Sequence, residues 1–277
     1  GVFPAGSLSG WKPDLQDFSD EDACKIQDYE KITRHDVKAI EYFLREKVPA
    51  ELHHWIHFGL TSEDVGNIAQ AIALKDSRDR VLLPALDNLI GSLRDFGMKQ
   101  RALPCLGRTH GQPAVPTTLG KEVAVYLARL LKCRAEIAEH KFEAKLSGAV
   151  GSFNALQAAA PQVDWLAFSQ EFIQRLGLEP NLLTTQILPY DNWIRYFDSI
   201  KLTNAILVGY AQDIWRYISD GILKQKVVEG EIGSSTMPQK VNPIDFENAE
   251  GNLGVANALF TYYGEKLPVS RLQRDLS

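Results

Sequence analysis

This sequence predicts an all-α protein, an elongated bundle of long helices, on three observations. First, Lys121 to Ser147 (KEVAVYLARLLKCRAEIAEHKFEAKLS) contains neither glycine nor proline, and Asp191 to Asp220 contains one glycine and no proline. Each is long enough for a helix of roughly 40 Å at about 1.5 Å per residue. Second, Ile194, Phe197, Ile200, Leu207, Val208, Ala211, Ile214, Trp215 and Ile218 recur at spacings of three and four, with Asn204 interrupting the row. That is helical periodicity. Third, no alternating run of the kind that builds a sheet is present. Helices this long need neighbours along their length, which makes a bundle the natural architecture.

The elements follow in order. Ser19-Asp-Glu-Asp22 matches a capping pattern before a helix to about Ile32. Asp36 is placed to cap a second short helix with Val37, Ile40 and Leu44 on one face. A boundary near Val48–Pro49 separates residues 1–49, read as the remainder of an N-terminal helical domain, from residues 50–277, read as a central long-helix bundle domain. Thr61-Ser-Glu-Asp64 repeats the capping pattern and opens a helix that Pro84 should kink or end. Pro113 and Pro116 forbid a helix before Thr117, where the first long helix can begin.

Composition narrows the function classes. Apolar residues make up 45% of the 277, enough for a substantial core, and the net charge of −5 is spread rather than blocked. That argues against nucleic-acid and anionic-membrane partners. Cys24, Cys105 and Cys133 are far apart and odd in number, which points to a reducing, cytoplasmic compartment rather than a disulfide framework. No apolar run approaches a membrane span and no secretory leader is recognisable. The first residue is Gly1, not Met, so the chain reads as a piece of a longer protein. GxGxxG, GxxxxGK[ST] and HExxH are all absent, so dinucleotide, P-loop and zincin readings lack their motif. His53, His54 and His57 suggest a metal, with 53 and 57 one helical turn apart, but no neighbouring carboxylate or cysteine completes a ligand set. No metal is expected.

Several polar constellations stand out. GEIGSSTMPQKVNP, Gly230 to Pro243, combines glycines, prolines, paired serines (Ser234, Ser235) and Lys240. A plain helix connection would account for Pro243 but not for paired serines and a lysine at fixed spacing; loops of this length in helical proteins usually carry function. His110 lies in GRTHGQPA, a rigid loop before the long helix, where a histidine makes a good general acid or base. Thr61 and Ser62 fit a helix cap, and a helix N-terminus is equally an anion site. Arg34-His35-Asp36 falls at a helix–helix junction, either a solvated turn or a binding corner. Arg271 and Arg274 sit three apart on one predicted helical face, as surface charge or as a pair suited to carboxylate or phosphate.

Taken together these residues resemble the fumarase/aspartase superfamily, whose signature loop GSSxMPxKxNP stands here as Gly233 to Pro243. Within it the chain is similar to the adenylosuccinate-cleaving branch through TRHDVKAIEYFL (33–44), TSEDV (61–65), RTHGQPAVPTTLGKE (108–122), SGAVGSFNA (147–155), TTQI (184–187), IDFENAEGN (244–252) and LPVSRLQRDL (267–276). The resemblance implies an L-aspartase/fumarase-like fold contributing to a tetrameric helical core, with active sites assembled from three subunits of a homotetramer. It implies cofactor-free elimination of fumarate from adenylosuccinate, giving AMP, and from SAICAR, giving AICAR, in purine biosynthesis. It casts Ser234 as the base that removes a proton beside a substrate carboxylate and His110 as the acid that protonates the departing nitrogen. Arg34, His35, Asp36, Thr61, Ser62, Gln186, Ser235, Lys240, Asn242, Ser270, Arg271 and Arg274 match, or lie in, segments that hold the small-molecule substrate, a succinylated purine nucleotide.

The sequence departs from the branch where Gln239 replaces a histidine of the loop, as in argininosuccinate-cleaving relatives, and where Leu156 and Tyr190 stand at positions commonly histidine. An N-terminal arginine–tyrosine pair and a third, C-terminal helical domain of the family are absent from these 277 residues. A lyase for another succinyl-type substrate, such as argininosuccinate, and a non-catalytic scaffold are the competing readings.

Overall fold

The computed structural model describes residues 18–226, 237 and 240–274. In chain order the main elements are α1 (Asp20–Thr33), α2 (Asp36–Lys47), α3 (Ser62–Ser77), α4 (Leu83–Lys99), β1 (Pro104–Thr109), β2 (Gln112–Thr118), α5 (Leu119–Glu139), β3 (Glu143–Ala144), α6 (Asn154–Ala159), α7 (Trp165–Arg175), β4 (Glu179–Pro180), α8 (Asp191–Ser219) and α9 (Ile244–Lys266). The protein is mostly helical, as its periodicity requires, but not all-α. An antiparallel hairpin, β1–β2, and a two-residue parallel pair, β3–β4, correct the expectation of no sheet. Packing divides the chain into two compact units, one within Gly1–Leu74, Phe142–Pro189 and Ser270–Ser277, the other within Lys75–Lys141 and Tyr190–Val269.

In the first unit α1 opens on the expected reciprocal cap: Ser19 Oγ accepts from Asp22 N at 3.1 Å and the Asp22 carboxylate accepts from Ser19 N at 3.2 Å. The second cap falls one residue earlier than expected. His35, not Asp36, caps α2, its Nδ1 accepting from Lys38 N at 3.4 Å. Val37, Ala39, Glu41 and Phe43 are the buried residues of α2, whereas Ile40 and Leu44 of the expected face are only half-buried; α1 packs against this helix.

The start of α3 is the polar centre of this unit. Asp64 and Lys145 are fully buried, with Lys145 Nζ 2.9 Å from Asp64 Oδ1. Asp64 also accepts the amides of Thr61 at 2.9 Å and of Ser147 and Gly148 at 3.0 Å each. One turn on, buried Asn67 brackets the Lys145 backbone, accepting its N–H at 2.8 Å and donating to its carbonyl at 3.0 Å. This explains a second correction. The helix expected over 121–147 ends at Glu139, and His140 turns the chain extended (φ −62°, ψ 128°). Phe142, Ala144, Lys145, Leu146 and Ser147 are then buried in extended or irregular chain, tertiary contacts overriding helix propensity.

The second unit is the long-helix bundle: α4 packs on α5, α5 on α8 and α8 on α9. A π turn, Arg78–Leu82, precedes α4, whose second residue is Pro84; the wider turn accommodates the break that proline was expected to make. Asn204, the interruption in the α8 stripe, is itself buried and donates to Asn257 Oδ1 of α9 at 3.0 Å. Gln212–Glu250 and Trp215–Glu247, both at 2.9 Å, continue that ladder and fix the register of α9 on α8.

The hairpin escapes the alternation test because both of its faces are largely exposed. Pro113 and Pro116 are tolerated because each strand of a two-stranded sheet is an edge. Gly107 lies at the register break between Leu106 and Arg108, and an ideal Cβ there would sit 2.8 Å from Val115 O.

Removing the Lys145 ammonium leaves the Asp64 charge buried. Lys145→Ala is expected to lose about 3–5 kcal/mol of stability, read from urea unfolding; a loss below about 1 kcal/mol would show that the amides alone satisfy the carboxylate. His140 gives a pH signature. Burial pulls its pKa below the usual histidine value against a hydrogen bond to Asn192 at 3.1 Å, with nearby Arg78 and Arg195 adding to the depression. The unfolded chain therefore binds the proton first as pH falls, so this contribution is intact above about pH 6.5 and declines below it. Unfolding midpoints between pH 7 and 5 should fall more steeply for the wild type than for His140→Gln.

Candidate functional site

Two corners of the first unit bring predicted residues together. In one, His35 and Ser62, 27 positions apart, meet with Nε2 3.4 Å from Ser62 Oγ. Because Nδ1 accepts from Lys38 N, the neutral ring carries its proton on Nε2 and donates to Ser62. Asp36 Oδ1 lies 3.2 Å from the same Nδ1. Arg34, His35 and Asp36 are exposed, Thr61 and Ser62 half-buried. His35 thus sets a polar group beside the N-terminal turn of α3, and a helix N-terminus attracts anions.

In the other corner the 184–187 segment meets the 270–274 segment. Gln273 O accepts from Thr185 Oγ1 and from Ile187 N, and half-buried Gln186 lies between those two donors in sequence. Arg271–Gln273 is a single 3₁₀ turn with Leu272 at φ 55° and Arg274 at φ −137°. Arg271 and Arg274 therefore do not share a helical face, which corrects the expectation. Both are exposed, and the carbonyl of half-buried Ser270 accepts from Gln273 N at 3.3 Å.

The second unit carries His110, Lys240 and Asn242. His110 and Gly111 form the two-residue tip of the β1–β2 hairpin at φ 53° and 74°, a turn that twists with its strands. The expected rigid loop is thus a hairpin tip, and the imidazole is exposed. Lys240 is exposed, with its amide bonded to Met237 O at 3.0 Å, and half-buried Asn242 precedes Pro243 at the start of α9. Ser234, Ser235 and Gln239 lie outside the described residues.

Among the described residues, six non-glycine residues have positive φ, and five of them, Arg34, His110, Phe153, Leu272 and Gln273, fall within the predicted segments. The sixth, His57 (φ 60°), is one of the three histidines that suggested a metal. Its Nδ1 lies 3.3 Å from the Oε1 of buried Glu41, and its Nε2 is buried without a hydrogen-bond partner. The three histidines do not converge. The 3₁₀ helix Ala50–Trp55 ends before His57, His53 Nε2 meets Val48 O at 3.0 Å, and His54 rests on Trp55. The signal for His57 was its place four residues before Thr61. Among the described residues no group of three or more His, Cys, Asp or Glu is placed to hold a metal ion, and no helix is long and apolar enough to cross a membrane.

Leu156 and Tyr190 are both buried, Leu156 against Ala160 and Trp165, Tyr190 against Trp193. They act here as packing residues. A separate cavity between α5 and α8, where Tyr126 donates to Asp213, is lined by none of the predicted residues.

A family model described as Lyase matches residues 9–257. The chain is 51% identical over 266 residues to the adenylosuccinate lyase of Vibrio cholerae, covering 94% of this chain and 58% of that protein. It is 48% identical over 281 aligned positions to the adenylosuccinate lyase of Escherichia coli, covering 100% of this chain and 62% of that protein. It therefore spans about three fifths of the length of these curated relatives. Among solved structures, a fumarate lyase from Mesorhizobium sp. BNC1 is similar at a TM-score of 0.74 and 19% identity, covering 94% of this chain and 57% of that one. The 3-carboxy-cis,cis-muconate lactonizing enzyme of Pseudomonas putida gives 0.73 and 24% with the same coverages. At these identities the likeness concerns the fold alone.

His35 makes two separable contacts. His35→Asn keeps an N-cap acceptor, whereas His35→Ala removes it; the alanine variant should unfold about 1 kcal/mol more readily than the asparagine variant. Equal urea midpoints would mean that Asp36 takes over the cap.

Proposed function

We infer function from one premise: the chain belongs to the lyase family whose model spans residues 9–257. The reading is that the whole protein eliminates fumarate from adenylosuccinate to give AMP, and from SAICAR to give AICAR, without a cofactor. The observation that carries it is identity at about half of all positions, over nearly the whole chain, with relatives named for adenylosuccinate cleavage.

The residue types suit that chemistry. Removing a proton beside a carboxylate builds a second negative charge on that group, and the intermediate needs donors and a cation aimed at it. Lys240, Asn242 and the amides of the 230–243 loop are the proposed source; one such donor is typically worth about 3 kcal/mol. Ser234 is the proposed base, activated when a closed, dry loop stabilises its alkoxide. His110 is the proposed acid toward the departing nitrogen, and its exposed position at a hairpin tip suits a group that serves a site built with other chains. Thr61, Ser62, His35 and Gln186 supply hydrogen bonds, and Arg34, Asp36, Ser270, Arg271 and Arg274 frame the charged ends of the substrate. Ser235 belongs to the same loop as the base.

A homotetramer with shared active sites is the proposed assembly. Its support is α9, which buries no residue and leaves Ile244, Val255, Leu259 and Tyr262 between 47% and 66% exposed. An apolar helix in that state calls for a partner surface. The proposed compartment is the cytoplasm, with no nucleic-acid or membrane partner.

The test is fumarate release by the full-length protein, followed by ultraviolet absorbance, with argininosuccinate as control. Release from adenylosuccinate alone upholds the reading. Release from argininosuccinate alone moves it to the relative that shares Gln239, and release from neither favours a scaffold. Ser234→Ala should lower turnover at least about a hundredfold with an unchanged far-ultraviolet circular dichroism spectrum; retained turnover would remove Ser234 from the mechanism.

A further inference from the structure

The Asp64 carboxylate is fully engaged. Oδ1 takes Lys145 Nζ and Ser147 N, at 2.9 and 3.0 Å, and Oδ2 takes Thr61 N and Gly148 N, at 2.9 and 3.0 Å. Thr61 N and Gly148 N therefore hang on a single oxygen atom, and the start of α3 cannot shift against the 147–148 turn without breaking a buried charge-assisted bond. That turn is in turn locked to the 184 segment by two independent contacts. Ser147, 1% exposed, has its Oγ 2.9 Å from Thr184 Oγ1. Gly151, at φ 78°, lets the backbone approach so closely that an ideal Cβ would sit 2.0 Å from Thr184 O. Beyond Thr184, Thr185 Oγ1 and Ile187 N both end on Gln273 O.

We propose that Ser147 and Thr184 are positioning residues. Their paired hydroxyls couple the Asp64-anchored Thr61–Ser62 corner to the segment carrying Gln186, so that both corners keep one fixed spacing for a ligand spanning them. The inference rests on the proposed function for its kinetic arm only. Losing the Thr184 hydroxyl leaves that of buried Ser147 without this partner, losing the Ser147 hydroxyl takes the same bond from half-buried Thr184, and either change frees the 184 segment to move, while neither side chain need touch the reacting atoms.

The test uses the full-length protein. Thr184→Val preserves shape and removes the hydroxyl, Thr184→Ser preserves the hydroxyl, and Ser147→Ala removes its partner. For adenylosuccinate, Thr184→Val should raise KM about tenfold, the size of one buried unsatisfied group, and Ser147→Ala should raise it in the same direction, each with kcat within about twofold. Thr184→Ser should restore KM to near the wild-type value, and the double variant should be no worse than either single one, as for a pair acting as a unit. Hydrogen exchange at the Ile187 amide should quicken in Thr184→Val. An unchanged KM in both hydroxyl-removing variants, or an equal loss in Thr184→Ser, overturns the proposal. If the wild type releases no fumarate, the proposed function fails while the exchange arm still decides the coupling: quicker exchange at Ile187 upholds it, and unchanged exchange refutes it.

Discussion

A carboxylate with no exposed surface needs its charge met from within the protein, and in this chain that requirement falls on Asp64. The Lys145 ammonium neutralises the group and three amides complete its shell. Each donor comes from chain that would otherwise choose its own conformation. Thr61 belongs to the capping turn of α3, Lys145 to a stretch whose composition favours helix, and Ser147 and Gly148 to a glycine-containing turn. Meeting the charge fixes all of them at once. A buried pair of this kind adds less net stability than its Coulomb energy suggests, because desolvation opposes it. Its weight lies in specifying which segments meet.

The second unit solves a different problem with different means. Long helices gain their stability from neighbours rather than from propensity, and the α8–α9 pair needs a definite register because the segment with Lys240 and Asn242 leads directly into α9. Apolar contact alone tolerates sliding. The Asn204–Asn257, Gln212–Glu250 and Trp215–Glu247 bonds do not, since each is lost within a displacement of about one ångström. Polar residues at a helix seam trade some stability for register, which is why Asn204, an irregularity in the apolar stripe, proves to be one of its informative positions.

Helix existence was legible because capping residues and period-3.6 patterns are local. Ser19-Asp-Glu-Asp22 and the Asp191–Ser219 segment behave as written. What escaped notice depended on partners distant in sequence. Lys145 looks like an ordinary helix residue until Asp64 is beside it. The β1–β2 hairpin hides because the alternation test needs one buried face, and this hairpin has none. Arg271 and Arg274 keep helical spacing in sequence, but Gln273 O is engaged by Thr185 and Ile187, and the chain adopts a left-handed geometry at 272–273 instead. The candidate site was legible as a set of segments, since motifs are local, whereas the partners that orient them were not. His57 is the sharpest case. Its value as a polar group comes from Glu41 on one nitrogen and nothing on the other, a fact of packing alone.

Left-handed backbone stands at Arg34, His57, Leu272 and Gln273 in the first unit and at His110 in the second. Each such residue costs of order 1–3 kcal/mol and persists only where its surroundings over-determine it. In the first unit those surroundings are visible: the cap of α2 follows Arg34, Glu41 holds His57, and two donors hold the carbonyl of Gln273. Strain of this kind displays side chains in directions that regular helix or strand cannot. In the first unit rigid buried anchors and strained turns stand together. The anchors hold the backbone still enough for the turns to keep geometries that an isolated peptide would abandon.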